Sequence, residues 1–192
     1  GTGSSPTLTN GSLRIDTSGD DFQFYRPVGA PENFWSNEVS RTAGYTVETR
    51  IRVTSFNEGN LQFVTTRDEV DQGQLVFQAS NTLRWANGNV DFNVDFTDGE
   101  YHTYRFAFDP GTSNFHLWVD NELLSNGLSG GSTTGNEIWF GDASGANGAA
   151  VQDVDYVRWD TSGAYAPIPE PATFGLVALV GLVLCWRRSR RH

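Results

Sequence analysis

Lysine and methionine are absent, and cysteine occurs once, at Cys185 near the C-terminus. A single thiol excludes an internal disulfide and leaves the preceding 184 residues without a thiolate metal ligand. All 13 basic residues are therefore arginines, set against 23 Asp and Glu in 192 residues, for a net charge of −10. Four of those arginines fall in the last six residues, so residues 1–166 carry 9 Arg against 22 acids, a net of −13. A body this acidic repels nucleic-acid backbones and argues against DNA or RNA as a partner. The opening Gly1-Thr2-Gly3-Ser4-Ser5 has neither the basic nor the apolar run of a leader; it reads as a mature or trimmed start, with any signal peptide missing. A helical 3.6-residue period is also lacking over residues 12–160. Aromatic residues are plentiful at 13%, enough to fill a core and to argue against disorder.

What replaces the helical period is strict alternation. In Tyr45–Val53 the apolar Tyr45, Val47, Ile51 and Val53 fall on one face and Glu48, Arg50 and Arg52 on the other. Val90–Phe96 repeats the pattern, placing Val90, Phe92, Val94 and Phe96 inward. Further strands are expected at Ser12–Asp16, Asp21–Tyr25, Asn60–Thr66, Gln74–Ser80, Thr82–Trp85, Tyr101–Asp109, Asn114–Val119, Glu137–Gly141 and Val151–Trp159. Asn57-Glu58-Gly59-Asn60, Asn87-Gly88, Asp98-Gly99, Asp109-Pro110-Gly111 and Asp120-Asn121 supply the turns between them. Many short strands at this spacing predict an all-β sandwich or barrel, with charged outer faces in water and loops over 125–136 and 142–150.

Composition shifts sharply at Ala166, dividing a body over 1–165 from a tail over 166–192. Pro167, Pro169 and Pro171 enforce an extended spacer. Phe174–Trp186 then runs 13 residues without a charge, and Arg187-Arg188-Ser189-Arg190-Arg191 follows. A helix over Ala172–Trp186 would reach about 22 Å at roughly 1.5 Å per residue. That is short of a hydrocarbon core of about 30 Å, a gap that snorkelling arginines and local thinning can close. The arginines after the span place the C-terminus in the cytoplasm and the body outside. The order Pro169-Glu170-Pro171, apolar helix, Arg187-Arg188 cluster and chain end resembles the PEP-CTERM sorting signal. That resemblance implies an exported cell-envelope or extracellular protein, initially anchored in the inner membrane through its C-terminal helix. It also implies recognition by an exosortase and a bacterium that makes extracellular polysaccharide, as in a biofilm.

Tyr101–Asp109 followed by Phe115–Leu123 resembles the central hairpin of laminin G-like domains, and Val154–Trp159 resembles their closing strand. The resemblance implies a concanavalin A-like antiparallel jelly-roll sandwich, with two sheets of about five to seven strands and the chain ends paired side by side. In the closing strand Asp155 shares parity with Val157 and Trp159, so it is expected to point inward, where an unpaired carboxylate is costly. In similar jelly rolls an Asp at this point binds a structural Ca²⁺ with backbone carbonyls, and Asp16, or Asp20 or Asp21, could add a ligand. The alternative is an Asp155 that accepts hydrogen bonds from backbone or arginine.

Sugar binding calls for aromatic faces with polar groups at the rim. Trp118 and His116 are out of parity with Phe115, Leu117 and Val119, and Trp139 is out of parity with Ile138 and Phe140. Arg105 should lie near Trp118 across the hairpin. With Trp85 these are the glycan-binding candidates, and their alternative is packing under loops. No catalytic set is complete. Glu69-Val70-Asp71-Gln72-Gly73-Gln74 approaches the glycosidase Glu-x-Asp-x-x-Glu pattern but has Gln74 where a proton donor belongs and Gly73 interrupting the strand. Asp91 and Asp95 share a face that reads as solvated, and His102 reads as structural at a strand start. The expectation is a non-catalytic carbohydrate-binding protein whose partner is extracellular polysaccharide. The rivals are a polysaccharide hydrolase or lyase on the same fold, or a purely structural matrix protein.

Overall fold

A computed structural model describes residues 6–18, 23–24, 39–57, 59–142 and 149–167. The described residues form fourteen strands and no helix. In chain order these are β1 (Thr7–Thr9), β2 (Ser12–Asp16), β3 (Gln23–Phe24), β4 (Tyr45–Asn57), β5 (Leu61–Asp68), β6 (Asp71–Ala79) and β7 (Thr82–Trp85). The second half comprises β8 (Val90–Asn93), β9 (His102–Asp109), β10 (Asn114–Val119), β11 (Glu122–Leu128), β12 (Gly131–Ser132), β13 (Asn136–Gly141) and β14 (Ala149–Asp160). One sheet runs β1-β2-β14-β4-β9-β10-β11 and the other β3-β13-β5-β6-β7-β8, with β12 joined to β6. Every pairing is antiparallel. The expected sandwich is thus present, and β2 and β14 bring the two ends of the body together. The expected C-terminal helix, the sorting residues Pro169, Glu170, Pro171, Arg187 and Arg188, and Asp20 and Asp21 lie outside the described residues.

Alternation decides which side chains meet between the sheets. Tyr45, Val47, Ile51 and Val53 of β4 are buried, as are Tyr104, Phe106 and Phe108 of β9 and Leu75 and Phe77 of β6. Phe63 stacks on Phe77 at 4.0 Å, and Phe96 lies 4.2 Å from Phe77 on its other side. Each buried aromatic removes enough surface from water to stabilise the fold by roughly 1.5–3 kcal/mol before entropy is counted. Gly73 does not interrupt β6: it pairs with Thr66 inside the strand. A Cβ there would lie 2.8 Å from the Phe115 ring and 2.9 Å from Trp85, so glycine is what lets two aromatic rings close over β6.

Three expectations are corrected. The segment 125–136 is not one loop, because β11 extends to Leu128 and β12 follows. Strand β8 stops at Asn93, and Val90 is 38% exposed while Phe96 is fully buried, so the alternation there covers only part of an inward face. The outer face of the second sheet is not wet throughout: Thr65, Gln74, Val76 and Trp139 are buried on it.

Candidate functional site

The outer face of the first sheet carries a row of polar side chains fixed by strand register. Trp118 of β10 lies opposite Arg105 of β9, Arg105 opposite Glu48 of β4, and Glu48 opposite Arg158 of β14. Glu48 is the hub. Its Oε2 accepts from Arg105 Nε at 2.5 Å, and its Oε1 accepts from the Tyr156 hydroxyl at 2.6 Å and pairs with Arg158 at 2.5 Å. The Glu48 side chain is only 4% exposed, whereas that of Arg158 is 64% exposed and lies over the Tyr156 ring. Burial favours the protonated acid, but the bonds from Tyr156 and the two guanidiniums outweigh it and hold the Glu48 carboxyl below the ordinary range. The Tyr156 hydroxyl moves the opposite way, pushed up by burial and by donating to Glu48.

Beyond β14 the chain turns back over this face. Asp160 Oδ1 accepts from the Ser162 backbone N–H at 2.8 Å and its hydroxyl at 2.6 Å, bonds that lower the Asp160 pKa. Thr46 then clamps the returning strap at two points: its hydroxyl donates to Gly163 O at 3.0 Å and accepts from Tyr165 N at 2.8 Å. Arg105 Nη1 donates to Tyr165 O at 3.3 Å. Between strap and sheet lies a groove of about 440 Å³, lined by Thr46, Glu48, Arg105, Arg158, Trp159, Asp160, Tyr165 and Ala166. A volume of that order suits a small ligand or one or two sugar units.

Of the expected glycan contacts, only Arg105 lines this groove. Trp118 is its cross-strand neighbour, as the hairpin pattern required, but is buried to 8% exposure, with the His116 ring 5.7 Å away. Trp139 stands on the opposite sheet, 9% exposed beneath the Arg67 guanidinium, so it forms no patch with Trp118. Trp85 is fully buried between the sheets, and its indole N–H donates to Ser129 O at 2.7 Å; it is a core residue. Glu48, Tyr156, Arg158 and Tyr165 were not singled out by sequence, although outward parity marked Glu48.

Asp155 does not point inward. A register shift between Val154 and Tyr156 leaves it without a partner on β4 and turns it outward. There its Oδ2 pairs with Arg50 Nη1 at 2.6 Å. The buried acid of this strand is Asp153, whose two oxygens accept from Arg14 at 2.7 and 3.0 Å and from Arg52 at 2.7 Å. Asp16 accepts from Ser18 N at 3.0 Å and sits opposite Val151, four residues from Asp155 and so about 13 Å away along the strand. Asp155 thus takes the alternative expected of it, a carboxylate paired with arginine. No group of three or more His, Cys, Asp or Glu among the described residues is placed to hold a metal.

Most of the other acids weighed from the sequence are likewise engaged. Glu69 occupies the turn before β6 at φ 73°, while Asp71 pairs with Arg41. Asp91 forms a two-point pair with Arg84 at 2.6 and 2.8 Å, and Asp95 accepts from Thr97. His102 bridges two turns, with Nδ1 2.6 Å from Asp120 and Nε2 3.1 Å from Asp98.

Residues 167–191 match the PEP-CTERM protein-sorting motif. No curated protein matches the chain. Among solved structures, a Trypanosoma rangeli sialidase in complex with sialic acid superposes at a TM-score of 0.59 and 11% identity, covering 85% of this chain and 27% of that one. An alginate lyase from polysaccharide lyase family 7 superposes at 0.54 and 12% identity, covering 81% of each chain. The binding domain of botulinum neurotoxin DC in complex with SialylT gives 0.56 at 10% identity, over 85% of this chain and 42% of that one. The chain thus spans about a quarter of the sialidase and most of the lyase. At these identities the likeness is one of fold: an all-β, two-sheet sandwich of the jelly-roll type that leads directly into a PEP-CTERM sorting motif.

Proposed function

We propose that this is an exported protein, sorted by an exosortase through its C-terminal motif, whose jelly-roll body binds carbohydrate without catalysis. The motif at 167–191 supports export and processing at the cell envelope. Before processing the apolar tail would anchor the chain in the inner membrane, and extracellular polysaccharide is the partner that the reading names. The observation carrying the binding reading is the groove beneath the strap, where hydrogen-bonding side chains are held rigid beside the aromatic ring of Tyr165. Preorganised polar groups with an aromatic face are the means by which proteins hold sugars.

The charge states in the groove support binding over catalysis. Hydrolysis needs a carboxyl group that holds a proton near neutral pH. Glu48 and Asp160 are both held below the ordinary carboxylate range. Elimination needs a base, and the Tyr156 hydroxyl is pushed up and committed to Glu48.

The test is a glycan-array screen of the full chain in detergent, with calcium and with chelator, followed by incubation with each bound polysaccharide. Saturable binding with no new chain ends is expected. Chain ends accumulating with time would replace binding by catalysis. Absence of binding from folded protein would leave the structural-matrix reading.

A further inference from the structure

We infer that the groove takes a neutral, hydroxyl-rich glycan stacked on the ring of Tyr165, and that the strap leading into the sorting motif is thereby part of the binding site. This rests on the carbohydrate-binding reading above and names the ligand class and the residue that reads it.

Tyr165 is built as a platform. Its backbone N–H is held by Thr46 and its carbonyl by Arg105, while its hydroxyl lies 3.0 Å from Ser162 Oγ. A Cβ on Gly163 would come within 3.0 Å of the ring, so one edge of the ring packs on Gly163 backbone. Yet Tyr165 is 47% exposed, which leaves a large aromatic surface open on a side chain fixed at both ends. Such a surface can stack on the C–H face of a pyranose with little loss of rotamer entropy.

Charge decides which sugar. Two arginines and two carboxylates line the groove, so the lining is balanced. Arg105 is bound to Glu48 and to Tyr165 O, and Arg158 is paired with Glu48. A uronate or sialate would add a negative charge to a neutral lining in a body of net −13, with no arginine of the groove lacking a carboxylate partner. Sugar hydroxyls, by contrast, can accept from the outer N–H groups of Arg158 and donate to Asp160 without displacing an ion pair.

The experiment is affinity electrophoresis of the full chain in detergent through gels containing a soluble neutral β-glucan, a neutral mannan or alginate, repeated with Tyr165→Ala and Tyr165→Phe. Retardation is expected in a neutral gel and not in alginate. Tyr165→Ala should weaken binding by about tenfold, equivalent to about 1.4 kcal/mol, and Tyr165→Phe by less. Unchanged melting of both variants would place the loss in binding rather than folding. Retardation in alginate alone would overturn the neutral-ligand inference while sustaining carbohydrate binding. Neutral-glycan binding that Tyr165→Ala leaves intact would overturn the groove assignment. No retardation in any gel would overturn the carbohydrate reading itself.

Discussion

Replacing Glu48 by alanine removes the one carboxylate that neutralises Arg105, whose side chain is 11% exposed. Breaking a buried pair by deleting one partner costs about 3–5 kcal/mol, because the surviving charge stays desolvated. The low end applies here, since Arg105 faces the groove and can be reached by water. Arg158 adds little, because a pair with a side chain 64% exposed contributes under about 1 kcal/mol. At roughly 2–4 °C per kcal/mol for a domain of this size, a loss of about 3 kcal/mol lowers Tm by about 9 °C. Differential scanning calorimetry of wild type, Glu48→Ala, Glu48→Gln and Arg158→Ala reads this directly. The expected order of Tm is wild type, then Arg158→Ala, then Glu48→Gln, then Glu48→Ala. The acid limb gives a second check. Burial alone would raise the Glu48 pKa, but Tyr156 and the arginines bring it below its unfolded value. A depressed carboxylate stabilises the fold above its unfolded pKa, about 4.3, and that stability is lost as pH falls through the folded value. Wild type and Glu48→Gln should therefore converge on acidification. A Glu48→Ala variant that melts within 2 °C of Arg158→Ala would refute the hub.

Four other substitutions address other parts of the fold. Burial opposes the charge on His102, but its bonds to Asp120 and Asp98 outweigh burial and raise its pKa above 6.5, so its contribution is complete below that value and is lost as pH rises through the folded pKa. NMR titration should show the raised value, and His102→Gln should flatten the fall of Tm on the alkaline side; a His102 pKa at or below 6.5 would sink the assignment. Asp153→Ala should cost about 2 kcal/mol, because it strands Arg14 and Arg52. Asp155→Ala, which loses one exposed pair, should cost under about 0.5 kcal/mol, and thermal melts giving the reverse order would contradict the bulge geometry. Gly73→Ala should cost about 1–3 kcal/mol by forcing a methyl between the Phe115 and Trp85 rings, and an unchanged Tm would show that those rings yield freely.

The sandwich was legible wherever alternation was clean and the turns carried their own chemistry. Strand β4 reads Tyr45, Val47, Ile51 and Val53 inward, and the structure buries all four. The tight connection between β10 and β11 uses Asp120 and Asn121 at φ 49° and 68°, left-handed backbone that these two residue types tolerate well. Where the cue was weak, backbone pairing carried the strand. Strand β11 runs through Ser125-Asn126-Gly127, which have no strand propensity; its pairing with β10 at Ser125 opposite Leu117 resumes, after a register shift, at Leu128 opposite Phe115. Trp85 was a legible miss. It shares parity with Leu83 in β7, and both are fully buried; alternation alone removes it from the binding candidates.

The site was harder to read because alternation assigns a residue to a face and says nothing of its neighbours on that face. Glu48, Arg105 and Arg158 are separated by 57 and 53 residues, and only the registers of β4 with β9 and of β4 with β14 set them side by side. One inserted residue reverses the assignment, as Asp155 shows. Period two carried back from Trp159 and Val157 sends Asp155 and Asp153 inward together, but the register shift at that point puts Val154 inward, leaves Asp155 exposed and sets Asp153 on the outer face, buried there between Arg14 and Arg52. A bulge has no signature in residue type here, so the identity of the buried acid became visible only through its two arginines. The strap had a fainter local cue: Asp160 followed by Ser162 and Gly163 is a turn sequence, and a chain turned back there must cross the face of β4 before it reaches Pro167. Thr46, on the outward parity of β4, stands where that crossing needs both a donor and an acceptor. Its hydroxyl supplies both, and this is what converts a row of ion pairs on an open sheet into a groove with a wall.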